Sequence, residues 1–181
     1  MNLYLMRHAD AGVPRENPLL DVKRGLVKEG KQQCMLMASV LAGLKVQVDV
    51  IIASPLKRAR QTAQFVATEM GFDQPILNSP VLAPDGEFAA FQQLIAQYSN
   101  REGVLVVGHN PNLHQFIARL ISGNGNGHPN GGGSIRLRKG GIARIDMAKH
   151  PAQLQWLIDP RLARIIHSSV TKSSRPKTSR K

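Results

Sequence analysis

The sequence predicts an α/β domain built on a mostly parallel sheet. Short apolar runs rich in β-branched residues alternate along the chain with segments of helical periodicity. Two of those runs, 49–53 and 104–107, are almost continuously apolar, as expected of central strands covered by helices on both faces. The 181 residues, 42% of them hydrophobic, make one ordinary domain that can bury a full core without disulfides or a structural metal.

The elements follow in chain order. A first strand over 2–6 runs into Arg7 and His8. A helix over 27–44 places Cys34, Met37, Ala38, Leu41 and Leu44 on one face, so Cys34 reads as a buried core thiol. As the lone cysteine it forbids an internal disulfide and fits a reducing compartment. After the strand at 49–53, a helix starting near Leu56 buries Ala59, Ala63, Val66 and Met70. A third helix from about Glu87 carries Phe88, Phe91, Ile95 and Tyr98, and a fourth, from Pro111, carries Leu113, Phe116, Ile117, Leu120 and Ile121. Residues 123–134 read as a flexible surface loop, and no Gly-Lys-Ser/Thr closes it into a phosphate-cradling P-loop. Apolar alternation over 135–138 and 142–145 around Gly140 and Gly141 predicts a hairpin, with 154–158 as the last strand.

The charge is unevenly placed. Of the net +12, seven cations and no acid lie from Arg161 onward, which leaves residues 1–160 only mildly basic. The expected organisation is one domain over 1–160 and a basic extension over 161–181. From about 168 that extension is too polar to offset the entropy of ordering it, so it reads as disordered. Such a tail either attracts nucleic acid or another polyanion or is simply solvated. No apolar run reaches the roughly 18 residues of a membrane span, and the first strand leaves no room for a secretory h-region. The expected location is cytoplasmic.

Polar groups arrive three times at the carboxyl end of a core strand: Arg7-His8, Ser54-Pro55-Leu56-Lys57-Arg58 and Gly108-His109-Asn110-Pro111. In open α/β sheets ligands bind beyond those ends, so the three segments are expected to converge. Ser54 and Asn110 each precede a proline and read as N-caps of following helices, whose free N–H groups favour an anion. Adding Arg7, Arg58 and two imidazoles makes a site suited to a phosphoryl group. A metal site is the weaker use of the histidines. There is no His-Glu-x-x-His, and His109 and His114 fall off the i, i+4 face. His128, His150 and His167 receive no role.

These residues resemble the histidine phosphatase superfamily, also called phosphoglycerate mutase-like. The resemblance rests on Leu5-Met6-Arg7-His8-Ala9-Asp10-Ala11, then Ser54 through Thr62, then Gly108-His109-Asn110-Pro111, and spans about residues 1–160. The short length and Arg-His-x-Asp-Ala opening are most similar to the SixA-type phosphohistidine phosphatases. The resemblance implies a three-layer α/β/α fold with antiparallel strands toward the C-terminus. It implies His8 as nucleophile through a phosphohistidine intermediate, and Arg7, Arg58 and His109 as clamps on the phosphoryl oxygens. Arg24, in the place of the family's Arg-Pro-Leu-Thr-x-x-Gly segment, is a further implied phosphate contact, although proline and threonine are replaced. His8 then needs a tautomer fixed through its other nitrogen, while His109 works better protonated. No metal or other cofactor is required.

Two departures bear on the substrate. Ala9 stands where the family usually has glycine, and Asn110 stands where the acid-phosphatase branch has a proton-donating aspartate. Asp85 and Glu87 lie where other members carry an acid on a loop, and either one is that acid or an ordinary helix cap. A protonated phosphoramidate leaves without a strong dedicated acid, so the expected substrate is a phosphohistidine-bearing signalling protein in a phosphorelay. The alternatives are small phosphoesters, or a phosphate-binding module tethered to polyanions by the basic tail.

Overall fold

The computed structural model describes residues 1–123 and 134–173. Strand β1 (Asn2–Arg7) sends Leu3 and Leu5 to one face and Tyr4 and Met6 to the other, and all four are buried. This period-two split demands cover on both faces of the sheet. On the Tyr4 face lie α2 (Lys28–Gly43) and α3 (Lys57–Met70), with Cys34, Met37, Leu41, Ala63 and Val66 fully buried against it. On the Leu3 face lie α4 (Phe88–Ala96) and α5 (Asn112–Ser122), contributing Phe91, Phe116 and Ile117. Phe91 and Phe116 stack with centroids 4.6 Å apart. The result is the expected three-layer sandwich. Burial pushes the Cys34 thiol up to about 12, as befits an inert core residue.

Strands β2 (Val50–Ala53), β3 (Leu77–Asn78), β4 (Gly103–Gly108), β5 (Ile142–Asp146) and β6 (Gln153–Ile158) complete a sheet of order β3-β2-β4-β1-β5-β6. The β3-β2-β4-β1 half is parallel and β1-β5-β6 antiparallel. Three short elements escape the sequence pattern: α1 (Pro18–Val22), which buries nothing, the two-residue strand β3, and a 3₁₀ turn over Pro80–Leu82.

Two expectations are corrected. Segment 135–138 is not a strand, because its central carbonyl, that of Leu137, bonds side chains of the site rather than a neighbouring strand; β5 pairs with β6 instead. Ser54 and Asn110 are not N-caps: α3 starts after Leu56 and α5 after Pro111. Helix α6 (Pro160–Ser173) buries Ala163 against the α2 side, where Arg164 reaches Glu29 at 2.7 Å. The rest of the basic tail, and the glycine-rich loop with His128, fall outside the described residues.

Gly30, in the first turn of α2, is required by packing. A Cβ there would collide with the Asp10 carbonyl, which already accepts from the Val27 amide at 3.1 Å. Gly30→Ala is therefore expected to cost about 2–3 kcal/mol, read as a lower denaturant midpoint. An unchanged midpoint would mean that the start of α2 can retreat from the loop after β1.

Candidate active site

Sheet register brings the three motif segments together. Arg7 pairs with Gly108 across β1 and β4, and Ala53 pairs with Val107 across β2 and β4. His8, His109 and Ser54 thus stand side by side beyond the carboxyl ends of adjacent strands. The His8 amide donates to the Gly108 carbonyl at 3.0 Å, and the two imidazoles lie 4.9 Å apart between centroids. Arg58 joins them from the first turn of α3. All four side chains are buried.

Each imidazole has its protonation organised by one neighbour. His8 Nδ1 donates to the Ala9 carbonyl at 2.7 Å, which leaves the Nε2 lone pair free, the tautomer the sequence reading requires. Burial, opposed by that hydrogen bond and helped by Arg58, Arg7 and Arg24, pushes the His8 ring down to about 4. His109 Nε2 meets Ser54 Oγ at 2.8 Å, and the same oxygen accepts from the Leu56 amide at 3.3 Å. With the Leu56 amide on one lone pair of Oγ, the Ser54 hydroxyl proton can go to Nε2, and in that arrangement the His109 proton sits on Nδ1. Burial, then His8 and the three arginines, push His109 down to about 3. At neutral pH His109 is therefore uncharged in the ligand-free protein.

A buried neutral pair has a consequence for stability. Between pH 6.5 and about 4 the unfolded chain takes up the His8 proton and the folded chain does not, so stability is full above 6.5 and falls as pH drops toward 4. The His8 share is on the order of 3 kcal/mol, and His109 acts in the same direction. Denaturant titrations at pH 7.5 and 4.5 should show the loss, and His109→Gln should reduce it. A flat profile across that window would contradict the burial argument.

The two arginines are tethered alike. Arg7 Nη1 donates to the Leu137 carbonyl at 3.1 Å, and Arg58 Nη1 donates to the Asp21 carbonyl and carboxylate at 3.1 and 3.2 Å. In both, Nε is buried without a partner, and among the described residues Nη2 has none. Each guanidinium therefore keeps its Nε–Nη2 edge open, the edge that forks onto two oxygens of a phosphoryl group. The partnerless buried side-chain polar atoms among the described residues are Arg7 Nε, Arg58 Nε, His109 Nδ1 and Asn110 Oδ1, all of this site. Three are donors, and a cluster of orphaned donors in an otherwise satisfied interior is the signature of an oxyanion site.

Comparison with known proteins agrees. The model of the histidine phosphatase superfamily (branch 1) matches residues 3–83. The phosphohistidine phosphatase SixA of Escherichia coli is 30% identical over 125 residues, 68% of this chain and 76% of the relative. The chain belongs to the histidine phosphatase superfamily. An uncharacterized protein of Picosynechococcus sp. is 33% identical over 165 residues, covering 90% of this chain and 93% of its own. Among solved structures, the protein histidine phosphatase SixA complexed with tungstate superposes with a TM-score of 0.77 at 25% identity, covering 89% of this chain and 98% of that one. Membership supports a phosphatase on the phosphoglycerate mutase-like fold.

Within this histidine phosphatase, the other expected residues fare differently. Arg24 is buried, but each of its nitrogens donates to protein: Nε and Nη2 to Asp21, Nη1 to the Ala11 and Gly12 carbonyls. It holds Asp21, which in turn holds Arg58, and the two arginines keep the Asp21 carboxyl well below the usual carboxylate range. Asp85 and Glu87 are exposed, and among the described residues their side chains have no hydrogen bond or ion pair. Glu87 occupies the N-cap position of α4 yet caps nothing, so the ordinary-cap reading fails for it. Their loop is tied to the carboxyl end of β4 by Asn112, whose amide donates to the Ala83 and Gly86 carbonyls at 3.1 and 2.8 Å.

Several residues of the site were missed from sequence. Ser54 orients His109 rather than capping α3. Thr62 Oγ1 accepts the Ala9 amide at 3.0 Å, and Gln61 accepts the Leu26 amide at 2.7 Å, so the far end of the Ser54–Thr62 motif clamps the loops after β1 and before α2. Asn110 donates to the Leu137 carbonyl that also holds Arg7. Their spacing was visible; their partners lie too far along the chain for any local pattern to reveal.

Proposed function

We propose that this protein is a phosphohistidine phosphatase acting through a phosphorylated His8. The observation that carries the reading is the pairing of a free His8 Nε2, set by the Ala9 carbonyl, with orphaned donors on Arg7, Arg58 and His109. His8 Nε2 attacks phosphorus, and the P–N bond of the substrate breaks as its ring, already protonated, leaves as neutral imidazole. The open arginine edges hold the equatorial oxygens through the transition state. A phosphoryl dianion beside His109 offsets the burial and charge that keep it neutral, so the ring takes a proton as substrate binds. Water then attacks phospho-His8, giving inorganic phosphate and neutral His8.

Asn110 in place of an acid favours a leaving group that needs no strong proton donor. The similarity to SixA supports the same substrate class, and tungstate, held by the solved SixA, is a tetrahedral oxyanion like phosphate. The free carboxylates of Asp85 and Glu87 favour a second reading, a small-molecule phosphomonoesterase in which one of them protonates an alkoxide.

The test is to incubate the protein with a phosphohistidine carrier domain labelled at phosphorus and follow label loss together with an acid-labile phosphoenzyme. Turnover of the carrier supports the reading. A phosphoenzyme formed only from small phosphoesters replaces it with the second.

A further inference from the structure

Beside the phosphoryl site opens a second, wider space. Arg7, Asn110 and His114 form one wall of a cleft of about 620 Å³, segment 134–139 a second, and the start of α6 a third. Arg136, Arg138, Lys139, Arg161 and Arg164 line it, together with only two carboxylates, Glu29 and Asp159. Those carboxylates are already engaged, Asp159 by Arg138 at 3.3 Å and Glu29 by Arg164 at 2.7 Å; Lys139 reaches outside the lining to Asp10 at 2.7 Å. Arg136 and Arg161 are exposed and have no carboxylate partner among the described residues.

We infer that this cleft receives carboxylates on the surface of the phosphoprotein substrate, with Arg136 and Arg161 as specificity-determining residues; the inference rests on the phosphohistidine phosphatase reading. The character of the cations selects the occupant. A second phosphate pocket would show buried, partnerless donors like those at Arg7 and Arg58, and among the described residues every such atom belongs to the catalytic site. The cleft instead carries long, solvated, separately mounted charges, some already neutralised by carboxylates, which is the pattern that steers and orients an acidic protein face. It also shares Arg7 with the phosphoryl site, so a protein seated there has its phosphorylated side chain next to His8.

The experiment compares the full wild-type chain with the double variant Arg136→Glu/Arg161→Glu. For an acidic phosphohistidine carrier at low salt, KM is expected to rise about tenfold or more, with the gap closing as salt screens the charges. For phosphohistidine as the free amino acid, kcat/KM is expected to stay within about twofold, since among the described residues neither arginine side chain is hydrogen-bonded to His8, Arg7, Arg58 or His109. Equal KM values for the carrier, or parallel losses on both substrates, would overturn the inference.

A second arm needs no turnover. A fluorescent oligoglutamate should bind the wild type with an affinity that falls with salt, and bind the variant about tenfold more weakly. The basic tail is common to both proteins, so its own attraction cancels. If inorganic polyphosphate discriminates between the two proteins and oligoglutamate does not, the occupant is a phosphate chain and the inference fails. If no phosphohistidine carrier is turned over, the functional reading falls, and the oligoglutamate comparison still decides the cleft.

Discussion

His8→Ala is expected to lower kcat by about 10⁴-fold or more, because the residue supplies the bond-forming atom and no neighbour can substitute for it. His109 stands near, but its Nε2 is held by Ser54 and its remaining nitrogen serves as a donor, so it offers no free lone pair. The variant should form no acid-labile phosphoenzyme. It should still bind phosphorylated substrate, since Arg7 and Arg58 keep their tethers to the Leu137 carbonyl and to Asp21, neither of which involves His8. Removing a buried imidazole that resists protonation should also make the protein less sensitive to acid between pH 6.5 and about 4. Residual activity within about tenfold of wild type would remove His8 as nucleophile.

Arg58→Lys is expected to lower kcat/KM by about 10²- to 10³-fold, the usual cost of losing a preorganised donor to a developing oxyanion. Charge alone does not rescue the site. An ammonium that stays with Asp21 has no second edge to offer a phosphoryl group, and one that turns to the phosphoryl group leaves Asp21. Binding gives an independent readout: inorganic phosphate should raise the thermal midpoint of the wild type by linkage, and that rise should shrink in the variant. The unliganded midpoint should move little, because Asp21 retains Arg24 at 2.7 Å. A variant with unchanged kcat/KM and an unchanged phosphate response would show that the Nε–Nη2 edge of Arg58 faces no ligand.

Much of the fold was legible because it is written in short-range periodicity. The apolar run 50–53 declares a two-sided strand, and helix α2 keeps Cys34, Met37, Ala38 and Leu41 on its buried side as the spacing predicts, while Leu44, expected on the same face, follows the helix end and is exposed. Segment 135–138 shows the limit of that logic. Its alternation suits a strand, but Arg7 and Asn110, 130 and 27 residues away, bond the Leu137 carbonyl and turn the segment into a wall of the site. Helix α6 shows a contact that composition alone does not reveal: its cations read as an extension, and Ala163 docks against the α2 side.

The same division holds for the chemistry. The gathering of His8, Arg7, Arg58 and His109 was legible from residue type at the ends of three strands, where ligands of open α/β sheets bind. Which atoms they present was decided in three dimensions. Asp21 takes Nη1 of Arg58 and leaves its other edge open, Arg24 is spent holding Asp21, and Ser54 places the His109 proton. The sequence by itself determined the alternating α/β pattern, a mostly parallel sheet covered on both faces and which polar residues gather at the strand ends, because periodicity and residue chemistry are local properties. Only the tertiary structure decided tautomer, tether and open edge, since each depends on a hydrogen-bond partner brought from another strand end or loop, in an interior where an unpaired polar atom is costly enough to be informative.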